Sequence, residues 1–136
     1  DAWNRLHFRR RGNQLQLELN GQPADPKSIM PLVLVNPVVK PVGALVSGSE
    51  GCLSFPKLYG EIERPESVDV TATNERGEPI AFRCGGLLAR CVQHEVDHLN
   101  GILFIDRMDR ATKEDLKPDL DDLQVATKAA LKKAKG

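Results

Sequence analysis

The segment His94-Glu95-Val96-Asp97-His98 sets two imidazoles four residues apart with a carboxylate next to the first. On a helix, residues i and i+4 share a face, so His94 and His98 can grip one metal ion. Glu95 lies one step round the helix, within reach of a proton on a water at that ion. This is the minimum apparatus for metal-assisted attack on an amide.

Two histidines need at least one further ligand, and Cys52, Cys84, Cys91, His7 and the acids are the candidates. Cys91 shares the helix face, but a metal held between the histidines would sit about 8 Å along the axis from it. A cysteine arm plus a metal–sulfur bond of about 2.3 Å falls short of that, so Cys91 reads as core or pocket wall. Cys84, before Gly85-Gly86, has burial as its plain reading. Cys52, in Ser49-Glu50-Gly51-Cys52-Leu53-Ser54, follows a glycine that lets another backbone approach. A Cys-His-His set leaves a fourth tetrahedral position for water, as a catalytic site needs. The plain alternative for Cys52 is an inert buried thiol.

The elements that must position these groups follow from periodicity. Leu87 to Leu99 has apolar residues at three- and four-residue spacings and ends at Asn100-Gly101, a good helix cap. Leu15 to Leu19 alternates apolar and polar as a half-buried strand does, and Arg5 to Arg10 reads as its partner. Asn20-Gly21 through Lys27 reads as a loop. Leu32 to Val39 reads as a buried strand bent or ended at Pro37, with Val42 to Ser49 extended after it. Gly60 to Arg64 and Val68 to Thr73 read as strands separated by Pro65. Asn74 to Gly77 is a hairpin turn, and Pro79 to Arg83 returns as a strand. Ile102 to Ile105 reads as a short strand, and Leu120 to Lys133 as an exposed terminal helix. The fold class expected is α+β, with antiparallel or mixed sheets packed around a central metal-binding helix.

The chain has 136 residues, 40% hydrophobic, 28% charged and 4% aromatic, with as many basic as acidic side chains. That composition suits one globular domain with an aliphatic core. Zero net charge argues for neither nucleic acid nor a membrane surface as partner. Three cysteines are an odd set, which favours metal binding or burial over a disulfide framework.

Glu50-Gly51-Cys52-Leu53-Ser54 and Gln93-His94-Glu95-Val96-Asp97-His98 resemble the second and third signature motifs of the peptide deformylases. Asn36-Pro37, Phe55-Pro56, Arg64-Pro65, Leu87-Leu88-Ala89-Arg90 and the run from His98 to Arg107 also match, so the resemblance covers roughly residues 30 to 110. It implies a metal held by Cys52, His94 and His98: iron(II) in the cell, with zinc or nickel able to replace it. It implies Glu95 as general acid/base and the backbone N–H of Leu53 as oxyanion donor. It implies substrate contacts from Gly51, Arg64, Leu87 and Cys91. The implied reaction removes the formyl group from formyl-methionyl nascent chains at the ribosome and releases formate. The implied setting is a monomer in the bacterial cytoplasm, ahead of an organelle.

The family's first motif, Gly-x-Gly-x-Ala-Ala-x-Gln, has no counterpart before Glu50. The expectation is therefore a catalytic domain over residues 1–110 that lacks the family's N-terminal portion, and a tail over residues 111–136. In the family that glutamine is an oxyanion donor, and losing one such donor costs about 10²–10³ in rate. The alternative function is a metal-binding relative with little activity. A protease acting on internal peptide bonds fits less well, because the common ones take a downstream Glu as third ligand. A structural zinc site would want a fourth protein ligand, and none stands out.

Overall fold

Strand alternation and one amphipathic helix build most of the architecture. The structure, a computed structural model, describes residues 15–25 and 28–135; the expected strand over Arg5 to Arg10 and the candidate ligand His7 lie outside them. The fold is α+β. Five strands, β1 (Leu15–Leu19), β2 (Gln22–Ala24), β3 (Val35–Cys52), β4 (Phe55–Thr73) and β5 (Pro79–Gly85), form one sheet in the order β2-β1-β5-β4-β3. Helices α1 (Gly86–Leu99) and α2 (Arg110–Ala134) follow. The chain divides into two units, one holding the described residues up to Val46 together with Arg64–Leu103, the other Ser47–Glu63 with residues 104–135.

In the first unit β5 pairs antiparallel with both β1 and β4, with Val68 opposite Cys84, Val70 opposite Phe82 and Leu17 opposite Cys84. These residues point to one face and form the core with Leu88, Ala89 and Val92 of α1. On the opposite face Asp69 stands across from Arg83, which donates from Nε and Nη2 at 2.7 and 2.9 Å. That contact holds the Asp69 carboxyl below the usual carboxylate range. Asn74 organises the β4–β5 turn: its side-chain oxygen accepts from the Arg76 and Glu78 amides at 2.9 Å each.

Asn20 and Gly21 have φ of 51° and 75°, and Leu19 pairs with Gln22. Asn20-Gly21 is therefore a two-residue hairpin turn of the type whose twist matches the flanking strands. The segment expected to be loop returns as β2, and its Pro23 is tolerated because β2 lies at the sheet edge.

Three further expectations about prolines and ends are corrected. β3 begins at Val35 and continues through Pro37 and Pro41. It is an edge strand, half-buried at Val35, Pro37 and Val39 and exposed at Asn36, Val38 and Lys40. β4 is continuous through Pro65, which lies beyond the β4–β5 ladder that starts at Ser67, so the missing N–H costs no bond to β5. Residues after Leu103 form no strand; Phe104–Asp106 is a 3₁₀ turn.

The second unit has its own small core of Ile62, Phe104 and Met108, against which Cys52, Phe55, Ile105 and Leu116 pack. The Phe55 and Phe104 rings meet edge-on, with centroids 5.4 Å apart. A Cβ at Gly60 would come 2.5 Å from the Met108 methyl, so glycine is what lets that methionine seat. Helix α2 begins at Arg110, ten residues ahead of expectation, because Asp109 caps it by accepting from the Thr112 amide at 2.7 Å. Pro118 lies within it, and none of its residues is fully buried.

The end of α1 is fixed by backbone geometry. Ile102 donates to the Asp97 carbonyl at 2.8 Å and Gly101 to that of His98 at 3.2 Å, with Gly101 at φ 73°. This is a Schellman motif, which needs the left-handed conformation that glycine supplies. Gly101→Ala is expected to lower stability by about 1–2 kcal/mol, read as a shift of the denaturant midpoint; an unchanged midpoint would refute the role of this cap.

Candidate metal centre

Advancing about 100° per residue, α1 presents three faces. Leu88, Ala89, Val92 and Val96 face the core. Arg90, Gln93 and Asp97 form a second stripe that bonds to the strands. Arg90 donates from Nη2 to the Val46 carbonyl at 2.8 Å, and Gln93 from Nε2 to the carbonyls of Pro65 and Ala89 at 3.1 Å each. Asp97 accepts from Arg64 Nη1 at 2.9 Å. The third face carries Leu87, Cys91, His94, Glu95 and His98, all half-buried except the exposed Leu87.

On that third face the Nε2 atoms of His94 and His98 are 3.2 Å apart, with the rings edge-on. Two ring nitrogens at this distance share a proton or address one cation. A ligand pair at about 2.1 Å from zinc or iron in a roughly tetrahedral arrangement has a similar separation. Cys52, the third ligand that the motif implies, lies half-buried at the end of β3. The donor chemistry, one thiolate and two imidazoles, suits a borderline-soft divalent ion rather than magnesium or calcium.

The other expected residues fall as follows. Leu53 and Ser54 form the turn between β3 and β4, where Leu53 is 99% exposed. A Cβ on Gly51 would lie 2.7 Å from the Tyr59 ring. Cys91 is half-buried and lies along the helix from the histidines. Arg64 is not a surface charge: its side chain is 4% exposed, against 9% for its partner Asp97. The sequence assigns Asp97 and Gln93 no catalytic part and leaves either as a support for the histidines. The available signal was an acid embedded in the metal helix, which burial obliges to find a partner.

Cys84 is buried in the core, and burial pushes its thiol up from 9.0 to about 12. It therefore keeps its proton at neutral pH and offers no thiolate to a metal.

An α+β fold whose helix sets two histidines towards one point beside a carboxylate fits a class, the metal-dependent hydrolases. Comparison with known proteins narrows it. The family model for polypeptide deformylase matches residues 10–114. A peptide deformylase of Opitutus terrae is 45% identical over 117 residues, 85% of this chain and 61% of the relative. Peptide deformylase 1 of Nostoc is 47% identical over 90 residues, 65% of this chain and 46% of the relative. Among solved structures, Arabidopsis thaliana peptide deformylase 1B in complex with an inhibitor superposes with a TM-score of 0.70 at 41% identity, covering 73% of this chain and 55% of that one. The Synechococcus elongatus enzyme in complex with actinonin gives 0.63 at 47% identity, covering 68% and 50%. The chain belongs to the polypeptide deformylase family. It spans less than two thirds of the length of these relatives.

The raised Cys84 thiol has two measurable results. In a folded Cys52→Ala/Cys91→Ala variant, Cys84 is expected to stay silent to a thiol reagent at pH 8 and to react once unfolded; rapid reaction in the folded state would overturn its assignment to the core. Because its folded value is raised, the stability it contributes is full below pH 9.0 and is lost as pH rises towards about 12.

Proposed function

We propose that this chain carries the metal centre of a deformylase that hydrolyses the N-formyl group of formyl-methionyl polypeptides. The observation that carries the reading is the pairing of His94 and His98 beside Glu95 on one helix, in a chain whose Cys52 stands in the family's cysteine motif. The ion they would hold is divalent, iron(II) by family resemblance with zinc or nickel as substitutes, and it would supply Lewis acidity and a water acidified to near neutral pH.

The residues of the chain divide the remaining work. Glu95 takes a proton from the attacking water and delivers it to the departing amine nitrogen as the carbon–nitrogen bond breaks, leaving formate and a free amino terminus. The Leu53 N–H donates to the oxygen of the formyl carbonyl as charge develops on it. The backbone at Gly51, where a side chain would collide with Tyr59, pairs with an extended peptide. Leu87 and Cys91, on the same face of α1 as the histidines, line the place for the methionine side chain. Arg64, expected among the substrate contacts, supports that place from within the fold through Asp97.

The same reading makes nascent chains at the ribosome the substrate pool, the bacterial cytoplasm the compartment and a monomer the working form. No helix among the described residues is long and apolar enough to cross a membrane.

Cys52→Ala is expected to strip the metal, measured as metal content after purification, and unchanged content would overturn the ligand assignment. Glu95→Ala is expected to keep the metal while turnover of a formyl-Met peptide falls by about 10²–10⁴; activity near the parent's would sink the role of that carboxylate.

A further inference from the structure

We infer that the buried Arg64–Asp97 pair is a positioning device for the metal ligands, setting how helix α1 is rotated and therefore where His94 and His98 aim. This rests on the reading of those histidines as ligands.

Three observations support it. First, the pair is built into the interior, with side chains 4% and 9% exposed and Nη1 2.9 Å from Oδ2. An aspartate so enclosed next to His98 cannot swing aside without leaving its own charge uncompensated. Secondly, Asp97 is held at both ends. Its side chain takes the Arg64 guanidinium from β4, and its carbonyl accepts the amides of Asn100 and Ile102 at 2.9 and 2.8 Å. A rotation of the helix that moved His98 would strain the Arg64 contact, while the bonds from Asn100 and Ile102 fix the backbone at the helix end. Thirdly, Asp97 is the last of three residues on one stripe that bond outward to strands. Arg90 reaches Val46 and Gln93 reaches Pro65, the neighbour of Arg64.

The core face alone does not fix rotation this closely. Apolar contacts are non-directional and tolerate small slips, whereas hydrogen bonds weaken steeply away from their preferred angles. His94 and His98 lie about 60° and 100° round the helix from Asp97. A small turn about the axis therefore translates into a lateral shift of both ring nitrogens. Arg64 and Asp97 touch neither metal nor substrate in this account; they act through the histidines.

The test is zinc affinity by competition with a chromophoric chelator, with the cobalt(II) absorption spectrum as a reporter of ligand geometry, on the full chain. Arg64→Met and Asp97→Asn are each expected to weaken zinc binding by about 10- to 100-fold, the range seen when the supports of metal ligands are removed, and to change the cobalt(II) spectrum. If either single variant fails to fold, Arg64→Met/Asp97→Leu removes both charges of the pair, and the same loss is expected in it. Folded variants with zinc affinity and cobalt(II) spectrum like the parent's would overturn the inference. So would a rise in KM for a formyl-Met peptide with zinc affinity unchanged, which would make Arg64 a substrate contact. His94→Ala in the same titration separates the two readings. If it loses zinc and the pair variants do not, the positioning role alone fails; if it binds zinc as the parent does, the ligand reading itself fails.

Discussion

Helix α1 has to satisfy three sets of neighbours with fourteen residues, and the site exists because it can. Leu88, Ala89, Val92 and Val96 must face the sheet to be removed from water. Arg90, Gln93 and Asp97 must meet donors and acceptors on the strands. The remaining stripe carries Leu87, Cys91, His94, Glu95 and His98, the side chains that can be given to chemistry. With a period of 3.6 residues these three stripes do not overlap, so neither packing nor tethering competes with the histidines.

The buried ion pair within this arrangement illustrates how burial changes the meaning of a charge. An exposed Arg–Asp contact, such as Arg83 with Asp69, contributes little and is screened by salt. Arg64 and Asp97 are largely withdrawn from water, and breaking a buried pair by removing one partner costs about 3–5 kcal/mol in general. The pair is therefore better understood as a determinant of geometry than as a source of net stability.

The legible parts of the sequence were those governed by local rules. The helix, its Asn100-Gly101 end, the β4–β5 turn and strand β1 all follow from periodicity and capping over a few residues. The metal pair followed from spacing, and the role of Cys52 from its resemblance to a known motif. The prolines misled because the cost of a missing N–H depends on whether a neighbour strand wants it. That is a property of position in the sheet: Pro65 precedes the β4–β5 ladder, and Pro37 lies in an edge strand. Asn20-Gly21 was a readable hairpin signal overlooked in favour of the prolines behind it. Arg64 and Asp97 are 33 residues apart, and no local pattern links them.

Cys84 gives folding a part in choosing the metal's partners. An unfolded chain presents three thiols and three imidazoles, any of which a thiophilic ion could capture in combinations that would never turn into the native centre. Once β5 is packed beneath α1, one thiol is withdrawn from that competition by its retained proton. The order of events then matters: an ion that arrives after the sheet has closed meets fewer wrong choices than one that arrives before. Burial of Cys84 leaves Cys52 and Cys91 as the two half-buried thiols of the folded chain.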